Sequence, residues 1–231
     1  MACLQAPPTI VAKIACSRGS VHFACFPSED STIDAIAALT SRSTAGALTD
    51  PAPDRAALQQ ILAAATRAPD HGRLRPWRFV VVLGAARAQL GAVLAEALQR
   101  RMPDATPAQL ERERGKPLRA PMIIGVCAIV HPEARIPVIE QVLSAGAAAQ
   151  NIMVAAHALG YGSAWKTGEA AYDPTVKAAL GLQSKDAIVG FIYLGMHAQP
   201  LPAPQALDPW RFVVEWSQDV TNSAVGSSGA K

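Results

Sequence analysis

The 231-residue sequence predicts an α+β protein, a central sheet flanked by helices with one long helix buried in its core. Three observations carry that expectation. Short runs rich in β-branched residues, "WRFVVVL" (77–83), "RAPMIIGVCAIV" (119–130) and "DAIVGFIYLGM" (186–196), read as buried strands set between longer helical patterns. The stretch "VIEQVLSAGAAAQNIMVAAHALG", Val138 to Gly160, is apolar on nearly every side, so it needs core on one face and often a second subunit on another. No strand is followed by G-x-G-x-x-G, and G-x-x-x-x-G-K-[ST] is absent, which turns the reading away from a doubly wound parallel sheet.

The elements follow in order. Residues 1–30 hold a short apolar stretch without the long apolar region of a signal peptide, and are expected to be a flexible arm. The domain is expected to span 31–216. "STIDAIAAL" opens a helix with Ser31 and Asp34 at capping-box spacing, and leads into "SRSTAGAL". After the turn signal "DPAPD", "RAALQQILAAATRA" (55–68) has helical periodicity and stops before Pro69. The strand at 77–83 is followed by a turn at Gly84, a helix over 85–101, and a polar region of helical character to about Lys116. His131-Pro132 ends the second strand, and the long helix comes next. "GYGSAWKTGEA" (160–170) reads as a glycine-lined turn. In "YDPTVKAALGL", Asp173 suits a cap, Pro174 the first helical position and Gly181 the stop. The third strand follows, "RFVVEW" (211–216) is read as a fourth, and the Ser/Gly-containing tail 217–231 is expected to be disordered.

Composition excludes several functions. A net charge of +3 without a long basic run, and only 5% aromatic residues, argue against nucleic acid. Cys3, Cys16, Cys25 and Cys127 form no C-x-x-C pair, so neither a zinc site nor a disulfide framework is read, and a reducing cytoplasm is expected. Glu140, Gln141, Gln150, Asn151 and His157 interrupt the long apolar stretch and disfavour a membrane span.

Three clusters are candidates for chemistry. Ser41, Arg42 and Ser43 offer a guanidinium fork between hydroxyls, suited to a phosphate and a polyhydroxyl chain, or else form a solvated helix end. Arg67 ends its helix, and His71 follows a proline that turns the chain. Such a loop can aim both at one ligand, or Arg67 can offset the helix dipole while His71 is an ordinary loop residue. Trp77 is read as a core anchor and Arg78 as its solvent-facing neighbour. Trp165, Lys166 and Thr167 offer an indole to cover a flat ring, an ammonium and a hydroxyl, or else a core plug beside an exposed lysine. Cys127 lies in an apolar strand and reads as an inert buried thiol. These groups are suited to something anionic and aromatic, yet none is an obvious catalytic base, a combination that points to a cofactor carrying the chemistry.

In the order "SRST", "APDHGRLRPWRFVVV", "RAPMIIGV", "SAGAAAQNIMVAAHALGYGSAWKTG" and "IVGFIYLG", the chain resembles the nitroreductase family of flavoproteins from Ser31 to Gly195. The resemblance implies a nitroreductase-like fold with a mostly antiparallel sheet, in a homodimer that holds FMN at the subunit interface. It places Ser41, Arg42 and Ser43 at FMN, with Ser41 standing where the family motif has arginine. It assigns Arg67 and His71 to the FMN of the partner chain. It also places Trp165, Lys166 and Thr167 at the cofactor, the tryptophan alone being identical to the motif. NADH or NADPH would be the reductant and a nitroaromatic, quinone or similar conjugated compound the acceptor, in a ping-pong cycle with no catalytic side chain. A flavin store or sensor with little turnover is the alternative. No metal, nucleic acid or membrane is expected as a partner.

Overall fold

The computed structural model describes residues 34–199 and 204–216. The expected arm (1–30) and tail (217–231) lie outside the described residues. Five strands form the sheet: β1 (Leu48–Thr49), β2 (Trp77–Leu83), β3 (Met122–Ala128), β4 (Gly162–Lys166) and β5 (Ala187–His197). Their order is β1-β5-β3-β2, with β4 also on β5, and every pairing is antiparallel. β3 is buried at all positions. That is why its sequence is continuously apolar rather than alternating.

Alternation along the strands gives the sheet two cores. Ile124 and Val126 of β3 and Ile192 and Leu194 of β5 join the cluster formed with α2 (Arg55–Ala65) and the long α5 (Val138–Ala158). Ile123 and Cys127 of β3 and Phe191 and Tyr193 of β5 join the opposite cluster, with Leu90 and Leu94 of α3 (Ala86–Arg101). Each wholly buried isoleucine in these layers contributes about 1.5–3 kcal/mol. The predicted layout of a sheet with a long core helix is therefore what folds.

The polar residues that interrupt α5 are latches. The buried Gln141 amide accepts from His131 N at 2.9 Å and donates to the carbonyls of His131 and Ile136, both at 3.0 Å. Ser144 Oγ donates to Pro69 O (2.6 Å) and accepts from Trp77 Nε1 (2.9 Å), so Trp77 is anchored as its sequence context predicted. Asn151 Nδ2 donates to Ala64 O at 3.0 Å, tying α5 to α2. Buried polar groups on an apolar helix fix its register where hydrophobic packing alone leaves it free to slide. No helix among the described residues is long and apolar enough to cross a membrane.

Three sequence expectations are corrected. The first helix, α1 (Ala35–Ser41), starts with Asp34 as its cap, accepting from Ala37 N; Ser31 lies outside the described residues. The glycine-lined stretch 160–170 contains β4, a strand whose buried small residues gave no alternation to read. "RFVVEW" is not a strand: Pro209–Phe212 form a 3-10 turn capped by Asp208, and Trp210, Phe212, Val214 and Trp216 stand exposed. A β-branched run becomes a strand only where a sheet edge accepts it.

Two helices complete the frame. The polar region before β3 is α4 (Pro107–Gly115), opened by a Thr106–Gln109 capping box. The short α6 (Pro174–Ala179) is capped by Asp173 and stopped at Gly181, φ +70°, as read from its residues.

Candidate functional site

A cavity of about 580 Å³ opens on the α3 side of the sheet. Its apolar floor is Leu90, Leu94 and Leu98 of α3, Ala164 of β4 and Phe191 of β5. Cationic side chains stand around it: Arg101, Lys116, Arg119 and Lys166, against the carboxylates Glu113 and Glu169. Two of the cations are already engaged. Lys116 Nζ lies 2.5 Å from Glu113, and Arg101 is paired with the buried Asp173. Arg119 and Lys166 form no ion pair among the described residues. The volume falls in the range of small-molecule sites, typically about 300–1,000 Å³.

Tyr193 also lines the cavity and is only 9% exposed. Burial pushes its phenol up to about 12, with Arg119 pulling it down and Glu113 pushing it up. At neutral pH it is a protonated donor facing the cavity.

The predicted site residues divide into two groups. Trp165, Lys166 and Thr167 line the cavity together, at the end of β4 where alternation ceases. Trp165 also packs against the main core, its Nε1 donating to Val189 O at 3.3 Å, so it serves as the core plug its sequence context allowed while still lining the cavity. Gly190 makes room for its ring, since a Cβ there would lie 2.7 Å from Trp165 Cδ1.

Ser41, Arg42, Ser43, Arg67 and His71 are not in the cavity wall of this chain. Ser41, the last residue of α1, donates to Ala37 O at 2.6 Å and lies 2.8 Å from His157 Nε2. Arg42 caps α1 and turns its guanidinium inward; its Nε and Nη1 are buried without an acceptor. The half-buried Ser43 follows. Arg67 is exposed just beyond α2, its amide bonded to Ala64 O. His71 is exposed, and its Nδ1 lies 2.6 Å from Glu140 Oε2 in the first turn of α5.

The arginine-rich turn that carries Arg67 and His71 is held in an unusual backbone. Gly72 (φ +73°), Arg73 (φ +55°) and Arg75 (φ +49°) are all left-handed. For a residue with a side chain that conformation costs on the order of 1 kcal/mol or more. The Asp70 carboxylate pins it by accepting from Leu74 N (3.2 Å) and Arg75 N (2.8 Å). Arg78, exposed as expected, donates to Gly181 O at 3.0 Å.

Sequence reasoning missed Glu113, Lys116, Arg119, Arg101 and Tyr193. The signal available was the i, i+3 pair Glu113–Lys116 before a strand, a spacing that surface helices also carry. Cys127 is buried in β3 with its thiol pushed up to about 12, first by burial, so it stays inert as read. Among the described residues no group of three or more His, Cys, Asp or Glu side chains is placed to hold a metal ion.

Together these features define an antiparallel α+β scaffold with an apolar-floored cleft rimmed by cationic side chains. The chain belongs to the nitroreductase family, whose pattern it matches over residues 39–196. It is 39% identical over 163 residues to the Escherichia coli (strain K12) protein named "Putative NAD(P)H nitroreductase YdjA", covering 71% of this chain and 88% of that one. Its fold is similar to that of a nitroreductase-like family protein from Bacillus cereus, with a TM-score of 0.70, 22% identity, and 82% and 99% of the two chains covered. It is also similar to the FMN and NADPH-dependent nitroreductase NfnB of Sphigopyxis sp. strain HMH, with a TM-score of 0.59, 26% identity, and 80% and 99% covered.

Proposed function

We propose that the protein is an FMN-dependent NAD(P)H oxidoreductase, cytoplasmic and homodimeric, that reduces a nitroaromatic, a quinone or a similar conjugated acceptor. The observation that carries this reading is the cavity itself, in a chain of this family: an apolar floor, a cationic rim and a neutral phenolic donor beside one another. The residues fit the cofactor. Arg42 has two buried donors that lack acceptors, as a site for a phosphate-tailed ligand requires. Bound FMN would supply the two-electron chemistry, taking hydride from NADH or NADPH and passing it to the acceptor.

The chain's own residues do the rest. Lys166 and Arg119 favour an anion in the cavity, and negative charge developing there is stabilised without any reorganisation of solvent. Leu90, Leu94 and Phe191 keep water from the floor and give a flat ring apolar contact. Tyr193 holds its proton at Oη and can donate a hydrogen bond to an oxygen or nitrogen of whatever occupies the cleft. Trp165, Lys166 and Thr167 are proposed as cofactor contacts from β4, and Ser41, Arg42 and Ser43 as contacts from the end of α1.

Arg67 and His71 are proposed as contacts to the partner chain's cofactor. Support for a partner comes from the exposed Ile36 and Leu39 of α1, Ile139 and Leu143 of α5, and Trp210, Phe212 and Trp216 beyond the sheet. Apolar surface of that extent marks an interaction face.

The test begins with colour. The purified chain should carry flavin absorbance, or acquire it on addition of FMN, and stopped-flow mixing with NADH or NADPH should bleach it. A colourless protein that refuses FMN refutes the proposal, and a flavin that neither nucleotide reduces makes the protein a flavin store or sensor instead.

A further inference from the structure

The turn after α2 concentrates positive charge that is left without partners. Arg67, Arg73 and Arg75 are exposed along it, and Arg135 is exposed on the approach to α5. Packing brings the two segments together: a Cβ on Gly72 would lie 2.9 Å from Ile136 Cγ1, so the turn rests against the residue that follows Arg135. None of these four guanidiniums forms an ion pair among the described residues. The carboxylates nearby are engaged elsewhere. Both oxygens of Asp70 accept backbone amides, Glu140 meets His71, and Glu133 stands 3.5 Å from His131.

Two of the arginines stand where the backbone disfavours them. Arg73 (φ +55°) and Arg75 (φ +49°) are left-handed, with the right-handed Leu74 between them. Glycine adopts that conformation without steric cost, and asparagine more readily than arginine does. Arg75 also precedes the buried Pro76, a position that favours extended backbone. Strain of this kind persists only where the surrounding structure over-determines it, and it gathers at ligand clamps. The place of the turn then indicates the ligand. Arg67 and His71 belong to the same turn and are proposed above to contact the partner chain's cofactor, so Arg73 and Arg75 stand at the rim of that chain's cleft, where the reductant enters. NADPH differs from NADH by one phosphate monoester on the adenosine 2′-oxygen, and guanidinium forks match a phosphate bidentately. Sites that read NADH instead offer a carboxylate to the ribose 2′-hydroxyl, and the carboxylates here are engaged.

We propose that Arg73 and Arg75 read the 2′-phosphate of NADPH bound at the partner chain's cleft, with Arg135 adding positive charge beside them, and that the protein therefore selects NADPH over NADH. The inference rests on the flavin reading above and names the reductant which that reading leaves open.

The experiment mixes the flavin-loaded full-length protein anaerobically with NADPH and with NADH and follows bleaching of the flavin. In the native protein NADPH should be roughly tenfold or more the better reductant at low concentration, an advantage that shrinks as salt rises. Arg73→Gly with Arg75→Gly should lower that advantage roughly tenfold, about the value of one charge-assisted hydrogen bond. Glycine suits both left-handed positions, so the variant should fold, and its urea midpoint checks this. Calorimetric titration with adenosine 2′,5′-bisphosphate and with 5′-AMP gives a second readout that needs no turnover: the native protein should prefer the bisphosphate, and the variant should lose that preference. Equal use of the two nucleotides, a preference for NADH, or an advantage unchanged in the glycine variant overturns the assignment. So does an equal loss with both nucleotides, which would place the arginines at the pyrophosphate that NADPH and NADH share. A chain that holds no flavin, or a flavin that neither nucleotide reduces, instead removes the reading on which the inference rests.

Discussion

Gly190→Ala tests how tightly the cavity wall is built. The glycine lies in β5 opposite Val126 of β3, and the Trp165 indole lies over it. An added Cβ would sit 2.7 Å from Trp165 Cδ1, about 0.7 Å inside the 3.4 Å at which ordinary contact begins, and closer still to Nε1. In an open strand the change would stabilise by roughly 0.5–1 kcal/mol, because alanine loses less backbone freedom on folding. Here the ring must move, at about 1–3 kcal/mol for overpacking and about 1 kcal/mol more for the Nε1 bond to Val189 O. The net expectation is a loss of about 1–3 kcal/mol, read as a lower urea midpoint at unchanged slope. Flavin uptake should weaken as well, since Trp165 lines the cavity. The decisive control is Trp165→Val, which removes the ring. In that background Gly190→Ala should become neutral or slightly stabilising, giving a coupling of about 2 kcal/mol. Additivity of the two changes within about 0.5 kcal/mol would refute the steric argument.

Two other outcomes follow from buried polar chemistry. Asp173 caps α6 and is paired with Arg101; burial alone would raise its carboxyl, but the Arg101 bond and the amides of Thr175 and Val176 outweigh it and leave it below the usual range. Asp173→Asn should therefore cost about 2–3 kcal/mol at pH 7 in urea unfolding. Because the folded carboxyl is depressed, its contribution is present above about pH 4 and is lost as pH falls through the folded value, so the native advantage over the variant should shrink towards pH 3. Cys127 should resist iodoacetamide at pH 8 in the folded chain and react in urea, as peptide mass spectrometry would read; modification without unfolding would contradict its burial and raised thiol.

Much of the scaffold is legible in the residues. β2, β3 and β5 are apolar runs bounded by proline, histidine or turn signals, and local pattern suffices for them. The cap, first-turn proline and terminal glycine of α6 lie within nine residues of one another, so short-range chemistry fixes that helix. β4 was hidden because Gly162, Ser163 and Ala164 have little strand propensity, and β5 supplies the edge that makes them one. "RFVVEW" failed for the opposite reason, having the propensity without the edge.

The candidate site divides along the same line. The order of motifs determined the family, and with it the expectation that Trp165, Lys166 and Thr167 stand together and that Arg42 meets an anion. Only the folded chain decided which side chains join them, because Glu113, Lys116 and Arg119 come from α4 and the turn after it, and Tyr193 from the last strand. Nothing within one element distinguishes these residues from ordinary surface charge or core. Their role arises from antiparallel pairing that sets β1 and β4 on the same edge of β5 and lays α3 across it. A local pattern fixes the conformation of neighbours in the chain. The charge and space around a ligand depend on neighbours in three dimensions.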